Sequence, residues 1–233
     1  MTSLKELRRQ TEAARLTHFK HSFFEADELP STTSESGRVY HSPIGDLRSV
    51  TTILGERLDK TALNEWKKAV GEEEAAKQSG VASRHGTLVH DTLEKYIRND
   101  PDWDKDISFL DKLIIDPVLP ILRISIKEIF GIEYPLWSKH LRTAGKTDII
   151  CSWGGELAIA DFKTSKTRLS YEDCIERGYF LQTTAYSIML QERLGVIAPM
   201  VVIINIPEHE PPVSYEDDRN KFIPEVIRIF RGK

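Results

Sequence analysis

The chain has 233 residues, of which 40% are hydrophobic and 29% are charged, and its formal net charge is −4 at pH 7. This length is enough for one substantial domain, and the composition is typical of a globular protein rather than a disordered tail or a membrane protein. The net negative charge gives no general sign of a polyanionic partner, so any binding of nucleic acid requires a local basic surface.

Apolar segments and cysteines are distributed as in an intracellular protein. No apolar run approaches the roughly 20 residues that cross a bilayer, so we expect no membrane partner. The stretch from Met1 to Phe24 is charged throughout and lacks the apolar segment of a secretory signal. The two cysteines, Cys151 and Cys174, are too few for a disulfide framework and suit a reducing compartment.

The N-terminal part of the chain is expected to form an arm and a short β-like lead-in. Helical periodicity over the first 30 residues gives way to small polar residues from Ser31 to Gly37, which predict a flexible arm or loop. Val39 and Tyr40 indicate a β-like segment, and Pro43 to Asp46 indicate a turn.

Helices are expected in the following part of the chain. The pattern predicts two of them near residues 51–58 and 61–78, the first with Ser49 or Thr51 as its N-cap. Residues 79–86 interrupt the pattern, and a helix then resumes.

A histidine on this resumed helix is the first candidate for chemistry. Leu93 and Ile97 follow His90 by three and seven positions, so the three side chains share one helical face. His90 is therefore expected to point inward. Further on, apolar residues from Phe109 to Ile129 keep helical spacing despite two prolines, which predicts a helix or a kinked pair.

The C-terminal half changes to strand periodicity. Three β-rich runs, IEYPLWS, TDIICSW and ELAIADFK, precede a helix, a buried strand and a last helix, expected at residues 171–193, 200–206 and 217–230. Gly154 and Gly155 join the second and third runs as a turn. This order predicts a mixed α/β (α+β) fold with a central mixed β-sheet flanked by helices.

The hairpin around the two glycines carries the most informative residues. Asp148 begins one strand and Asp161 ends the next, so antiparallel pairing brings both carboxylates to one end of the hairpin. Asp161 and Lys163 share a strand face because side chains alternate. Two carboxylates and an ammonium group suit Mg²⁺ or Mn²⁺ and a water activated for attack on a phosphodiester. Taken singly, each of the three could instead be an ordinary solvated side chain.

In the stretch GKTDIICSWGGELAIADFKTSK the chain resembles the RecB-like branch of the PD-(D/E)XK nuclease superfamily, which includes the mitochondrial genome maintenance exonucleases and related phage exonucleases. The resemblance covers about residues 39–206, in the order of the motifs as well as their content. The proline–aspartate pair is not literal, because Thr147 precedes Asp148.

The resemblance implies a restriction-endonuclease-like core with an N-terminal helical region. Within a single overall domain, it divides the chain into an N-terminal arm and β-like lead-in (1–48), a helical region carrying the His90 motif (49–130) and a nuclease core (131–233).

The resemblance also implies a catalytic centre and its metal ligands. Asp148, Asp161 and Lys163 would be catalytic. A G-x-x-x-H element, matched by Gly86 and His90, would supply a metal-binding histidine, although His90 could also be a packed core residue. The full set of expected metal ligands is His90, Asp148, Asp161, Phe162 and Glu133. Glu133 could alternatively be a strand-edge carboxylate.

A last motif of this branch, Q-x-x-x-Y, is matched by Gln182 and Tyr186, whose spacing places both on one helical face. These two side chains, with Thr164, Ser165 and Lys166, are expected to contact DNA. Their alternative role is that of an ordinary amphipathic helix and loop. A larger group of basic residues lies close together in sequence and could form a phosphate-binding strip: Lys139, His140, Arg142, Lys146, Lys163, Lys166 and Arg168.

The sequence therefore favours a metal-dependent deoxyribonuclease, an exonuclease on single-stranded DNA with a free end, using Mg²⁺ or Mn²⁺. The alternatives are a structure-selective endonuclease on the same centre, a catalytically inactive nucleic-acid-binding module, and a structural metal-binding protein. DNA is the expected partner, with a recombination or replication protein as a further candidate. The expected location is the cytoplasm, that of the host if the chain is phage-encoded, or an organelle.

Overall fold

A mixed β-sheet forms the centre of the fold. The structure is a computed structural model that describes residues 4–15, 18–58 and 61–232. In these ranges the sheet has eight strands. They are β1 (Ser31–Ser34), β2 (Gly37–Ser42), β3 (Gly45–Ser49), β4 (Ile126–Ser138), β5 (Thr143–Trp153), β6 (Glu156–Ser165), β7 (Met200–Pro207) and β8 (Val213–Asp218).

Helices cover both faces of this sheet. They are α1 (Leu4–Arg15), α2 (Val50–Arg57), α3 (Thr61–Val70), α4 (Glu72–Ile97), α5 (Phe109–Ile115), α6 (Leu119–Ser125), α7 (Tyr171–Glu176), α8 (Tyr179–Leu194) and α9 (Ile223–Arg231), with a short 3-10 turn at Arg219–Lys221. The apolar faces of α4 and α6 pack with one side of the sheet, and those of α2, α8 and α9 with the other. None of the described helices combines the length and apolar character required to cross a bilayer.

Strand β5 organises the sheet because three strands pair with it. β4 runs antiparallel along one whole edge of β5. The other edge is shared: β3 pairs in parallel with Thr143 and Ala144, and β6 pairs antiparallel from Ile149 to Trp153. Between these two contacts, at residues 145–148, no described strand occupies the edge. The sheet is therefore open at this point.

The predicted mixed α/β fold is confirmed, together with several local features. Ser49 caps α2, since its side chain accepts a hydrogen bond of 3.0 Å from the Thr52 N–H. Gly154 and Gly155 form the two-residue turn between β5 and β6, and both have positive φ angles, 61° and 103°, which suit glycine. The predicted kinked helical pair exists as α5 and α6.

The prediction of a flexible arm at Ser31 to Gly37 is wrong. Residues Ser31–Ser34 form β1, which pairs antiparallel with β2. All four residues of β1 are exposed, so this edge strand has no apolar face that would produce an alternating pattern. Its backbone pairing, rather than side-chain burial, orders it.

Two helix boundaries in the N-terminal half also differ from those predicted. The helix expected to run to residue 78 ends at Val70, and Gly71, with a φ of 86°, separates α3 from α4. The interruption expected at residues 79–86 does not exist, because α4 continues through it to Ile97. The glycines there lower the helix propensity without ending the helix.

In the C-terminal half, the predicted helix at 171–193 is two helices divided at Gly178, whose φ is 72°. The predicted last helix at 217–230 begins later, because β8 occupies Val213–Asp218 before α9. Strand β4 begins at Ile126, so the end of the segment predicted as helical is extended.

We expect Gly145→Ala to destabilise the protein by about 1–3 kcal/mol, the usual cost of overpacking a core. A Cβ at Gly145 would lie 2.6 Å from the Tyr186 hydroxyl oxygen, and Tyr186 is buried. The control is Gly55→Ala in α2, where a Cβ meets nothing within 4 Å and replacing a helical glycine should be neutral or stabilising. Urea unfolding of both variants measures the difference, and equal stabilities would contradict the close packing of Tyr186.

Candidate functional site

The open edge of β5 places two carboxylates beside each other. Ile149 and Ala160 are the last paired residues of β5 and β6 towards this end of the hairpin. Asp148 and Asp161 would be the next pair in the same antiparallel register, but the strands have separated there. Both side chains therefore lie at the entrance of the gap between the strands, as their sequence spacing predicts.

The side chain of Asp148 is bound by β6, although the backbones of β5 and β6 are not paired at this position. Its Oδ2 accepts a hydrogen bond of 2.8 Å from the backbone N–H of Phe162. The same oxygen lies 3.3 Å from Nδ1 of His90. Burial, and then the charge of Asp161, raises the pKa of Asp148 well above its ordinary value. A cation in the gap would relieve this unfavourable charge.

His90 reaches the gap from α4. Its ring packs edge-on against Phe162, with centroids 5.7 Å apart, and its side chain is half-buried. Burial lowers the pKa of His90 below its ordinary value, which favours the neutral imidazole that metals bind. Gly86, one turn earlier, allows α4 to approach β6, since a Cβ there would lie 3.1 Å from the Thr164 hydroxyl.

Asp161, Lys163 and Gln182 form a closed ring of contacts. The Lys163 ammonium lies 2.5 Å from Asp161 Oδ2 and donates a hydrogen bond of 3.1 Å to Gln182 Oε1. Gln182 Nε2 donates in turn to Asp161 Oδ1 at 2.8 Å. Asp161 is only 1% exposed, so Lys163 is the main compensation for its buried charge.

The ammonium of Lys163 stays protonated in this setting. Burial lowers the pKa of Lys163, but the charges of Asp161 and Asp148 together raise it by more than burial lowers it. The net result is a pKa above the ordinary value of a lysine. The ammonium also lies 4.9 Å from the centroid of the Tyr179 ring, at the start of α8. Lys163 is thus a fixed positive charge beside two carboxylates.

Helix α8 contributes a second side chain to the open edge. Tyr186, one turn after Gln182, is buried against Gly145. Burial raises the pKa of Tyr186 well above its ordinary value, so the phenol is neutral. The structure therefore brings both members of the Q-x-x-x-Y motif to the gap, and their contact with DNA stays a prediction.

Glu133 lies level with Asp148 on the neighbouring strand, between the pairs Ile132↔Ile149 and Tyr134↔Thr147. Its φ of 48° is unusual for a residue other than glycine, and such strained positions concentrate at functional sites. Burial, and then the charge of Glu94, raises the pKa of Glu133.

The segment after Lys163 is held mainly by an asparagine that the sequence analysis did not identify. Asn205 in β7 donates hydrogen bonds to the Lys163 carbonyl, at 3.0 Å, and to the Ser165 hydroxyl, at 2.8 Å. Ser165 itself donates to the Thr167 carbonyl at 2.7 Å, so its hydroxyl is occupied within the protein. Lys166 is exposed. A polar residue inside the apolar run MVVIINI was the available signal for Asn205.

The donor atoms around the gap have the chemistry that a divalent cation requires. Two carboxylates and an imidazole meet there, and oxygen donors are those that Mg²⁺ and Mn²⁺ prefer. Among the described residues, no group of three or more His, Cys, Asp or Glu side chains is arranged as a ready cluster of metal ligands. The raised pKa of Asp148 fits a site in which a cation would compensate the two carboxylates.

Comparisons with known proteins do not identify the chemistry of this site. No protein-family model matches the sequence, and no curated protein matches it. A candidate exonuclease from Eubacterium rectale is 15% identical, with a TM-score of 0.41 over 64% of this chain and 68% of that chain. The protein SSO0001 is 11% identical, with a TM-score of 0.40 over 97% and 83% of the two chains. Because both TM-scores are below 0.5, neither likeness bears on the chemistry of the site.

We expect Lys163→Met to lower the free energy of unfolding by about 3 kcal/mol, because it leaves the buried carboxylate of Asp161 uncompensated. Adding Asp161→Asn should restore much of this loss, since a neutral amide needs no ammonium partner. Urea unfolding of the wild type, both single variants and the double variant gives the coupling. Lys105→Met, at an exposed lysine, is the control. Additive effects of the two substitutions would show that the ion pair does not stabilise Asp161.

Proposed function

We propose that this chain is a metal-dependent deoxyribonuclease of the PD-(D/E)XK type that hydrolyses DNA phosphodiester bonds. The observation that supports it is the separation of β5 and β6, which holds Asp148, Asp161 and Lys163 in one gap. A structural site would not require a buried ammonium group placed beside two carboxylates. A hydrolytic centre for phosphodiesters requires both negative ligands and a positive group.

The carboxylates would hold one or two Mg²⁺ or Mn²⁺ ions. His90 and the backbone carbonyl oxygen of Phe162 would be further ligands. A bound ion would supply neutralisation of the scissile phosphate and a more acidic water. Asp148 is oriented for this role by the Phe162 N–H, and Asp161 by Gln182.

Lys163 would act by its charge. Because the pKa of Lys163 is raised, the group is an ammonium in the resting protein and cannot accept a proton. It would instead donate a hydrogen bond to the attacking water or to the phosphate oxygens as negative charge develops on them. Gln182 keeps the ammonium in position through its 3.1 Å hydrogen bond.

We further propose that the substrate is single-stranded DNA with a free end. This finer assignment rests on the resemblance of the motif order to the RecB-like exonucleases. A duplex-cutting or structure-selective endonuclease would use the same centre, so the choice of substrate in the test must separate the two activities.

The proposal predicts digestion of an end-labelled linear single strand in Mg²⁺ or Mn²⁺, and no cleavage of a circular single strand. Asp161→Asn should abolish digestion, and Lys163→Arg should lower the single-turnover rate by on the order of 10²–10⁴, because the planar guanidinium does not reproduce the compact ammonium. The matched controls are Asp106→Asn and Lys105→Arg, at exposed residues.

Two outcomes of that assay would contradict the proposal in different ways. Cleavage of the circular strand would replace the exonuclease with an endonuclease. Binding of the linear strand without metal-dependent cleavage by the wild type would leave a nucleic-acid-binding module.

Metal binding can be measured without activity. We expect Asp148→Asn to raise Tm in EDTA, because it removes a buried charge that Asp161 repels. Millimolar Mn²⁺ should raise Tm of the wild type, at about 2–4 °C per kcal/mol of binding energy, and should leave Asp148→Asn unchanged. Asp106→Asn should respond as the wild type does. Equal Mn²⁺ shifts in all three proteins would place the ion elsewhere.

A further inference from the structure

A basic cavity lies at the far end of α8 from Lys163. Its volume is about 840 Å³. Six basic side chains line it: Arg48, Arg57, Lys139, His140, Arg142 and Arg231. They come from β3, α2, the β4–β5 turn and α9, so the fold collects them from four separate parts of a chain whose net charge is negative.

The β4–β5 turn that carries three of these residues is fixed by one carboxylate. Glu192, near the end of α8, accepts hydrogen bonds from the Ser138 hydroxyl and from the N–H groups of Lys139, at 2.9 Å, and His140, at 3.3 Å. Arg142 closes the turn with a φ of 54°. The backbone of the turn that carries Lys139, His140 and Arg142 is therefore held in place by α8.

The positive charges of the cavity are incompletely compensated. Its two acidic residues are engaged elsewhere: Glu192 binds the turn, and Asp46 binds His41 Nδ1 at 2.8 Å. Within the described residues, Lys139, Arg142 and Arg231 form no ion pair with a carboxylate. The Arg231 guanidinium instead lies 3.3 Å from a ring nitrogen of His140. The lysine and arginine charges gathered here without a carboxylate partner favour an anion between them.

The chemistry of the lining suits the oxygen atoms of a phosphate group. Guanidinium groups bind phosphate oxygens through paired hydrogen bonds, and lysine adds a point charge. Three basic residues predicted from the sequence to form a phosphate-binding strip lie here, while Lys163 of the same strip lies among the carboxylates. The strip predicted from the sequence therefore does not form one continuous surface.

The two places are separated by a distance that one DNA strand can span. Arg142 precedes Asp148 by six positions in an extended chain, which corresponds to about 20 Å at roughly 3.3 Å per residue. Glu192 follows Gln182 by ten positions on α8, about 15 Å at 1.5 Å per residue. At the axial rise of roughly 3.4 Å per nucleotide in a strand stacked as in B-DNA, this equals about four to six nucleotides.

We propose that this cavity binds backbone phosphates of the DNA strand several nucleotides away from the carboxylate pair. The inference rests on the proposed nuclease function for the identity of the ligand. The cavity would hold the strand and leave the chemical step to Asp148, Asp161 and Lys163.

The test uses the double variant Lys139→Ala/Arg142→Ala, whose two side chains are exposed and touch none of the three catalytic residues. Equilibrium binding in Ca²⁺ is measured with single strands of 4 and 20 nucleotides. We expect affinity for the 20-mer to fall at least tenfold and affinity for the 4-mer to stay unchanged. The slope of log affinity against log salt should decrease by about 1.4, because each phosphate that is no longer neutralised accounts for roughly 0.7.

Matched controls separate this effect from a general loss of charge. Lys105→Ala/Arg123→Ala removes one lysine and one arginine exposed away from the cavity, and should leave both affinities unchanged. Arg231→Gln, from a different element of the cavity, should weaken 20-mer binding in the same direction. Tm of each variant verifies folding.

Three results would overturn the proposal: equal 20-mer affinity in the wild type and both cavity variants, an equal loss for the 4-mer and the 20-mer, or an equal loss in the control variant. Inorganic phosphate that raises Tm through the cavity while 20-mer affinity is unaffected would also overturn it, in favour of a small phosphate ligand. Length-dependent binding in a wild type that cuts no DNA would support the cavity and reject the nuclease.

Discussion

The buried charge of Asp161 is the constraint on which the surrounding structure depends. A carboxylate that is 1% exposed must be compensated within the protein, and Lys163 and Gln182 provide that compensation. Lys163 comes from the same strand and Gln182 from α8, so the position of α8 on the sheet is tied to the charge. Asp148, whose pKa is also raised by burial, adds a second charge that the described protein compensates less completely.

The second carboxylate, Asp148, occupies the point where the sheet opens. If β5 and β6 stayed paired beyond Ile149 and Ala160, their backbones would satisfy each other and the Phe162 N–H would not be free to bind Asp148. The side chain of Asp148 replaces a strand partner, while Asn205 from β7 holds the backbone on the other side of Lys163. Polar side chains of the site thus supply the hydrogen bonds that the ladder no longer makes.

The sequence was sufficient for the parts of the site that depend on local geometry. The two-glycine turn sets the hairpin register, and the register alone brings Asp148 level with Asp161. It was insufficient where residues distant in the chain meet, as for Asn205 or the cavity around Glu192, because no periodicity encodes which elements become neighbours. Strand β1 was missed for a different reason: its residues are exposed on both faces, so its order comes from backbone pairing. The roles of the site residues and the bound metal stay predictions.

The shared edge of β5 also has a consequence for how the chain reaches its native state. β3 joins β5 through Arg48 and Thr143, which are 95 positions apart, and the Thr143 hydroxyl donates to the Arg48 carbonyl. Contacts of such long sequence separation form slowly, because a large loop must close before they contribute stability. The β5–β6 hairpin, closed by two glycines, can form early, so the carboxylate pair is assembled locally. We therefore expect docking of the N-terminal strands to be a late step in folding, which completes one side of the open edge.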